Sequence, residues 1–162
     1  MSAPVRSGVG SADKPSDRLN ALGLTLPAVA TPVGSYVPAM RVGDLIYTSG
    51  QLPLADGRLA TGLVGGPTSQ QVATDAARTA CLNALAAAAD IANGIDAIQG
   101  IVRLVIYVAS SDGFTEQAAV ANGASDLLAE IFGEQGRHIR SAVGVAVLPK
   151  NACVEVELVA GL

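Results

Sequence analysis

The sequence predicts an α+β fold in which a single sheet carries two helices on one face. Three observations predict it. β-rich and helix-periodic stretches follow in the order strands, helix, strand, helix and a closing pair of strands, the pattern of a layered sandwich. Alanine is abundant in the longer helical stretch, which raises helix propensity and lets the helix approach a sheet closely. Half of the 162 residues are apolar, yet only 3% are aromatic and none is Trp, so the core must be built from Val, Leu, Ile and Ala.

Taken in order, Met1 to Pro15 is small, polar and glycine-containing and is expected to be a disordered tail, leaving residues 16–162 as one domain. Ser16-Asp17 caps a short helix over Arg18 to Leu22, with Gly23 as its stop. Tyr36 to Ala39 reads as the first strand, and Gly43-Asp44 turns the chain into a second over Leu45 to Ser49. A turn at Ala55-Asp56-Gly57 and a glycine-rich passage follow. Thr68-Ser69-Gln70-Gln71 then opens a helix to about Ile91, with Asn93-Gly94 as its end. Ile101 to Val108 is the strongest strand, apolar on both faces apart from Arg103, which marks it as central or as covered by another subunit. Ser110 to Gly113 caps a second helix over about Phe114 to Phe132, and Gly133 to Gly136 breaks it. With few polar residues on either face of the strands, an apolar surface is left over, and oligomerisation is expected to cover it.

Composition excludes several classes. A formal charge of −4, a pI near 4.8 and ten scattered Lys and Arg residues give no basic stripe to neutralise phosphates, which argues against nucleic acid. Cys81 and Cys153 lie far apart among core-like neighbours and read as buried thiols in a reducing compartment. The N-terminus lacks a signal-peptide pattern and no apolar run reaches membrane-spanning length, so a cytoplasmic protein away from the membrane is expected. A P-loop, a dinucleotide fingerprint, metal-ligand spacing and a nucleophile elbow are all missing, so neither metal nor organic cofactor is expected.

The C-terminal stretch His138 to Val159 reads as a hairpin. Ala142 to Val147 and Ala152 to Val159 are its strands, joined by the turn residues Pro149-Lys150-Asn151. Alternation places Glu155 and Glu157 on one face with Cys153, and Val154, Val156 and Leu158 on the other. Arg140 enters the first strand, where its guanidinium can pair with a carboxylate of the protein or of a ligand. Glu157 reads as structural, partnered by Lys150 or Arg103. His138, the only histidine, is placed to order the loop before Arg140, and a histidine-pair ribonuclease mechanism is unavailable within one subunit.

Several motifs occur together: Gly34-Ser35-Tyr36-Val37, Thr48-Ser49-Gly50-Gln51, Arg140-Ser141, and Leu148-Pro149-Lys150 followed by Val154-Glu155-Val156-Glu157. In this order they resemble the RidA/YjgF family, over about Ala30 to Leu162. The resemblance implies a chorismate-mutase-like fold, a homotrimer with clefts between subunits, and hydrolysis of reactive 2-imino acids to 2-keto acids and ammonia. It further implies that Arg140 holds the substrate carboxylate, that Glu155 positions water, and that Tyr36, Ser49, Gly50 and Asn122 line the ligand site. Bidentate guanidinium binding suits a carboxylate beside a C=N carbon. Departures occur at Ala142 and Gly144, where such enzymes carry larger or polar groups, and these smaller residues are expected to widen the cleft or change its polarity. Two other functions remain open: a non-catalytic binder of small carboxylate metabolites and, disfavoured by charge and the lone histidine, an endoribonuclease or translation inhibitor.

Overall fold

The computed structural model describes residues 13–32 and 34–162. Residues 1–12 of the expected tail lie outside them. Helix α1 runs over Pro15–Ala21, beginning three residues before the expected start at Arg18. Proline opens it, where a missing N–H costs nothing. The carboxylate of Asp17 accepts the Lys14 N–H at 3.2 Å. Ser16 does not cap the helix; its N–H and hydroxyl donate to the two carboxylate oxygens of Asp96, at 2.9 and 2.7 Å. These bonds fix α1 to the short 3-10 turn at Ile95–Ala97.

The first strand, β1, is Ala39–Val42, with β2 at Leu45–Thr48. The expected strand at Tyr36–Ala39 therefore lies too early. Pro38 cannot donate to a ladder, so regular pairing begins after it. A small hairpin, β3 (Leu54–Ala55) with β4 (Arg58–Leu59), turns through Asp56-Gly57. Helix α2 spans Gln70–Ala92; the Ser69 hydroxyl accepts the Val72 N–H at 3.2 Å at its start, and Asn93 ends it in the left-handed conformation. Strand β5 is Gly100–Ala109, α3 is Gln117–Phe132, β6 is Ile139–Val145 and β7 is Val154–Gly161.

The sheet order is β1-β2-β7-β5-β6. The hairpin expected at the C-terminus does not form: β7 pairs antiparallel with β5, and β6 pairs parallel with the other edge of β5. The turn chemistry was correctly placed, since Lys150 and Asn151 both take positive φ, 54° and 60°. What it joins are two strands separated by β5. The long apolar β5 is thus an interior strand, between β7 and the edge strand β6, in line with the first of the two expected placements.

Helices α2 and α3 cover one face. Leu104, Ile106 and Val108 of β5, Val154, Val156 and Leu158 of β7, and Ile46 of β2 point into that layer and are essentially inaccessible to solvent. Burying each such side chain contributes about 1.5–3 kcal/mol. Alanines 73, 76, 77, 80 and 84 form the buried stripe of α2. A Cβ at Gly123 of α3 would overlap the Thr74 carbonyl of α2, so the two helices cross at a distance only glycine allows. The outer face of the sheet is different. Met40, Val42, Tyr47, Ile139 and Val143 are exposed there, beside the smaller cluster of Ala109, Leu148 and Ala152.

Candidate functional site

Arg140 and Glu155 lie on opposite faces of the sheet. Arg140 is level with Leu104 of β5, which points toward the helices, whereas Glu155 is level with Tyr107, which points outward. They are also separated by three residues along β5 and by two strand spacings, roughly 14 Å by strand geometry. A small ligand cannot touch both within one chain.

On the helix side, Arg140 meets the stripe of α3 formed by Ala118, Asn122 and Ser125, spaced i, i+4, i+7. Its Nη1 donates to Asn122 Oδ1 at 2.8 Å and to Ser125 Oγ at 3.0 Å, and its Nη2 donates to the Ala118 carbonyl at 3.3 Å. All three acceptors are neutral, so the guanidinium has no carboxylate partner among the described residues. Two donors have no partner among the described residues, the Nε–H and one Nη2–H, so the guanidinium keeps hydrogen-bonding capacity for a carboxylate.

His138 extends this network. Its Nδ1 lies 2.6 Å from the Gly136 carbonyl, and its Nε2 lies 3.0 Å from Ser125 Oγ. A carbonyl only accepts, so Nδ1 carries a proton. In the neutral ring Nε2 then accepts from the Ser125 hydroxyl, which itself accepts from Arg140. His138 therefore orders the approach to Arg140, as expected, and does so through Ser125. Ser125 was not singled out from the sequence. The signal was present, because it completes the α3 stripe with Ala118 and Asn122.

The small residues Ala142 and Gly144 share the helix-facing side of β6 but do not widen a cleft. Ala142 packs against the main core. The Gln117 amide fills the space beside Gly144, where an added Cβ would lie 2.7 Å from Nε2. That amide is held by the Phe114 carbonyl and the Ser110 hydroxyl at 2.8 and 3.2 Å.

On the outer face, Glu155 is half-buried and rests on Gly50, where an added Cβ would overlap its carboxylate. Burial pushes the Glu155 carboxyl above its ordinary value, and the like charge of Glu157 pushes it the same way. Glu157 forms no salt bridge with Lys150 or Arg103 among the described residues, contrary to the sequence expectation. Burial likewise raises the Tyr107 hydroxyl, with Glu157 and Glu155 adding to the effect. The segment beneath Glu155 is stitched to β7 by reciprocal Gln51–Val156 backbone bonds of 2.8 and 3.0 Å. Ser49 gives both its N–H and its hydroxyl to the Pro38 carbonyl, at 2.9 and 3.1 Å, so it fixes the approach from Tyr36. Neither backbone polar group of Gly50 has a hydrogen-bond partner among the described residues.

Tyr36, half exposed, and Gly50 both line a cavity of about 590 Å³ between the chain after α1 and the β3–β4 hairpin. The structure thus gathers Tyr36, Ser49, Gly50 and Glu155 in one place and Arg140 with Asn122 in another. Among the described residues, no cluster of His, Cys, Asp and Glu could hold a metal ion, and no helix is long and apolar enough to cross a membrane.

Residues 16–162 match the family described as "YjgF/chorismate_mutase-like, putative endoribonuclease". The chain belongs to this YjgF/chorismate mutase-like family. Protein TCP17 of Trypanosoma cruzi is 43% identical over 141 residues, covering 86% of this chain and 88% of that protein. A YjgF-like relative from Dermatophagoides farinae, named 2-iminobutanoate/2-iminopropanoate deaminase, is 31% identical and covers 83% and 91% of the two chains. The crystal structure of Atu1372 from Agrobacterium tumefaciens, a protein of unknown function, has 44% identity and a TM-score of 0.83 over 90% of each chain. The YjgF fold also relates this chain to TdcF of E. coli, solved with bound serine, at 25% identity and a TM-score of 0.58, covering 85% and 95%.

Proposed function

We propose that the protein hydrolyses 2-imino acids, or their enamine tautomers, to 2-keto acids and ammonia, in clefts between copies of the chain. The observation that carries this reading is the unneutralised Arg140: a guanidinium held by three neutral oxygens keeps two donors and its full charge for a ligand carboxylate. Family membership and the deaminase name of the mite relative support the same chemistry. The exposed apolar outer face supports assembly, and a homotrimer in which Arg140 of one copy approaches Glu155 of the next would complete the site.

In that cleft Arg140 and Asn122 hold the carboxylate end, with Tyr36, Ser49 and Gly50 along the other wall. Water adds to the imine carbon while its proton passes to Glu155, a base whose raised affinity for protons suits the task. That proton passes to nitrogen to give the carbinolamine; Glu155 then moves the hydroxyl proton to the amine, ammonia leaves with the C–N electron pair, and the C=O bond forms. One water is consumed per imine, with no oxidant or cofactor. The experiment is ammonia release from 2-iminobutanoate generated in situ, comparing wild type with Arg140→Ala at equal assembly. Acceleration lost in the variant supports the reading; equal rates at the spontaneous level sink it.

A second reading, a non-catalytic binder of small carboxylates, is favoured by one observation: each chain builds the carboxylate receptor on the face opposite Glu155. Saturable binding of a 2-keto acid without imine turnover would select it.

A further inference from the structure

The cavity bounded by Tyr36 and Gly50 is far larger than a two- or three-carbon imino acid requires. Its volume of about 590 Å³ lies within the range that holds drug-sized ligands. Its walls are mainly apolar, including Pro27, Leu52, Leu54 and Leu59. They are also built to stay in place. Leu24, Leu26 and Val29 pack into the core, so the chain after α1 is anchored while Pro27, Ala28 and Ala30 face the cavity. The Asn83 amide donates to the carbonyls of Leu52 and Leu54 at 2.9 and 3.0 Å, fixing the opposite wall and using both of its N–H groups. The two charged lining residues, Asp56 and Lys150, are solvent-exposed.

Gly50 connects this space to the chemistry. It lines the cavity and lies against the Glu155 carboxylate, and having no side chain it leaves them a backbone's width apart. We infer that the cavity receives the substrate side chain, so that the preferred substrates are 2-imino acids with bulky apolar side chains of the leucine or phenylalanine type. This rests on the proposed hydrolysis for its reacting end, but on the cavity alone for its side-chain preference. Each methylene buried there strengthens binding by about fourfold.

The test has two arms. Calorimetry with 2-keto acids, which replace C=NH by C=O, reads the cavity without turnover: 4-methyl-2-oxopentanoate should bind wild type at least tenfold more tightly than pyruvate. In the second arm, kcat/KM for the corresponding imines, made in situ by an amino acid oxidase, should follow the same order. Ala28→Phe fills the cavity from its wall and should bring the two ligands within about twofold of each other. Ala55→Phe, from the hairpin side, should do the same should Ala28→Phe fail to fold.

Graded keto-acid binding without imine turnover would keep the side-chain pocket and overturn the hydrolase. Turnover that favours the smallest imine, or a preference for the larger ligand unchanged in a folded filled variant, would overturn the pocket and keep the hydrolase. Absence of both binding and turnover overturns both.

Discussion

The two faces of the sheet treat their charged residues in opposite ways. On the helix face, Arg140 is exposed and satisfied by neutral oxygens from one stripe of α3. On the outer face, Glu155 is half-buried against Gly50 and Glu157, with no salt-bridge partner among the described residues. The first arrangement holds a cation ready for an anion. The second makes a carboxylate reluctant to lose its proton. An arginine and a glutamate held in one chain at contact distance would neutralise each other, and the carboxylate would be a weaker base. Separation by the sheet preserves both properties, and in the proposed assembly a second copy would bring them together.

Removing the base should have the largest effect. Glu155→Gln keeps the shape above Gly50 and should lower kcat by about 10²- to 10⁴-fold in the imine assay, with ligand binding retained. A variant within twofold of wild type would move the base elsewhere. Arg140→Ala should act on the other property, lowering kcat/KM by about 100-fold, the worth of two charge-assisted hydrogen bonds. Its effect should appear in 2-keto acid affinity as well as in turnover, which distinguishes it from Glu155→Gln.

Gly50→Ala tests the outer face by packing. The new methyl group must displace the Glu155 carboxylate, and a loss of about 1–3 kcal/mol in denaturant unfolding is expected. Unchanged stability and activity would mean that Glu155 has room to move. Ser125→Ala should have a smaller effect, a rise of about three- to tenfold in KM with kcat held, because it frees the guanidinium without removing it.

The smallest effect concerns stability and pH. Burial and Glu157 raise the Glu155 carboxyl in the folded state, so its contribution to stability is present below the ordinary glutamate value and is lost as pH rises through the raised one. Thermal melts of Glu155→Gln should therefore gain on wild type as pH rises from about 4 toward neutral. A gain that grows toward acid instead would reverse the sign.

Local features of this arrangement were legible in the sequence, whereas the pairing was not. Ser69 and Asn93 bound α2 as their cap chemistry predicts, and the alternation of β7 correctly placed Glu155 and Glu157 opposite Val154 and Val156. Pro149-Lys150-Asn151 marked a real turn, but a turn says nothing about which strand will intervene between its arms. The insertion of β5 between β6 and β7 depends on contacts distant in the chain, so the hairpin reading failed there. The same error hid the central geometric fact, since a strand's face has meaning only relative to its neighbours. Asn122 was marked by resemblance to a family, and its bond to Arg140 joins two of the residues so marked. Ser125 went unmarked because serine on a helix is common and its value depends on what lies across the gap.

The most direct test of a site divided between copies is complementation. Arg140→Ala and Glu155→Gln, each inactive alone, would be mixed in equal amounts, dissociated and reassembled. In a ring of copies, a random mixture gives about one cleft in four with an intact Arg140 facing an intact Glu155. Recovery of about a quarter of wild-type imine hydrolysis is predicted. No recovery, with mixed assemblies verified by mass, would place both groups in one chain's site and contradict the account.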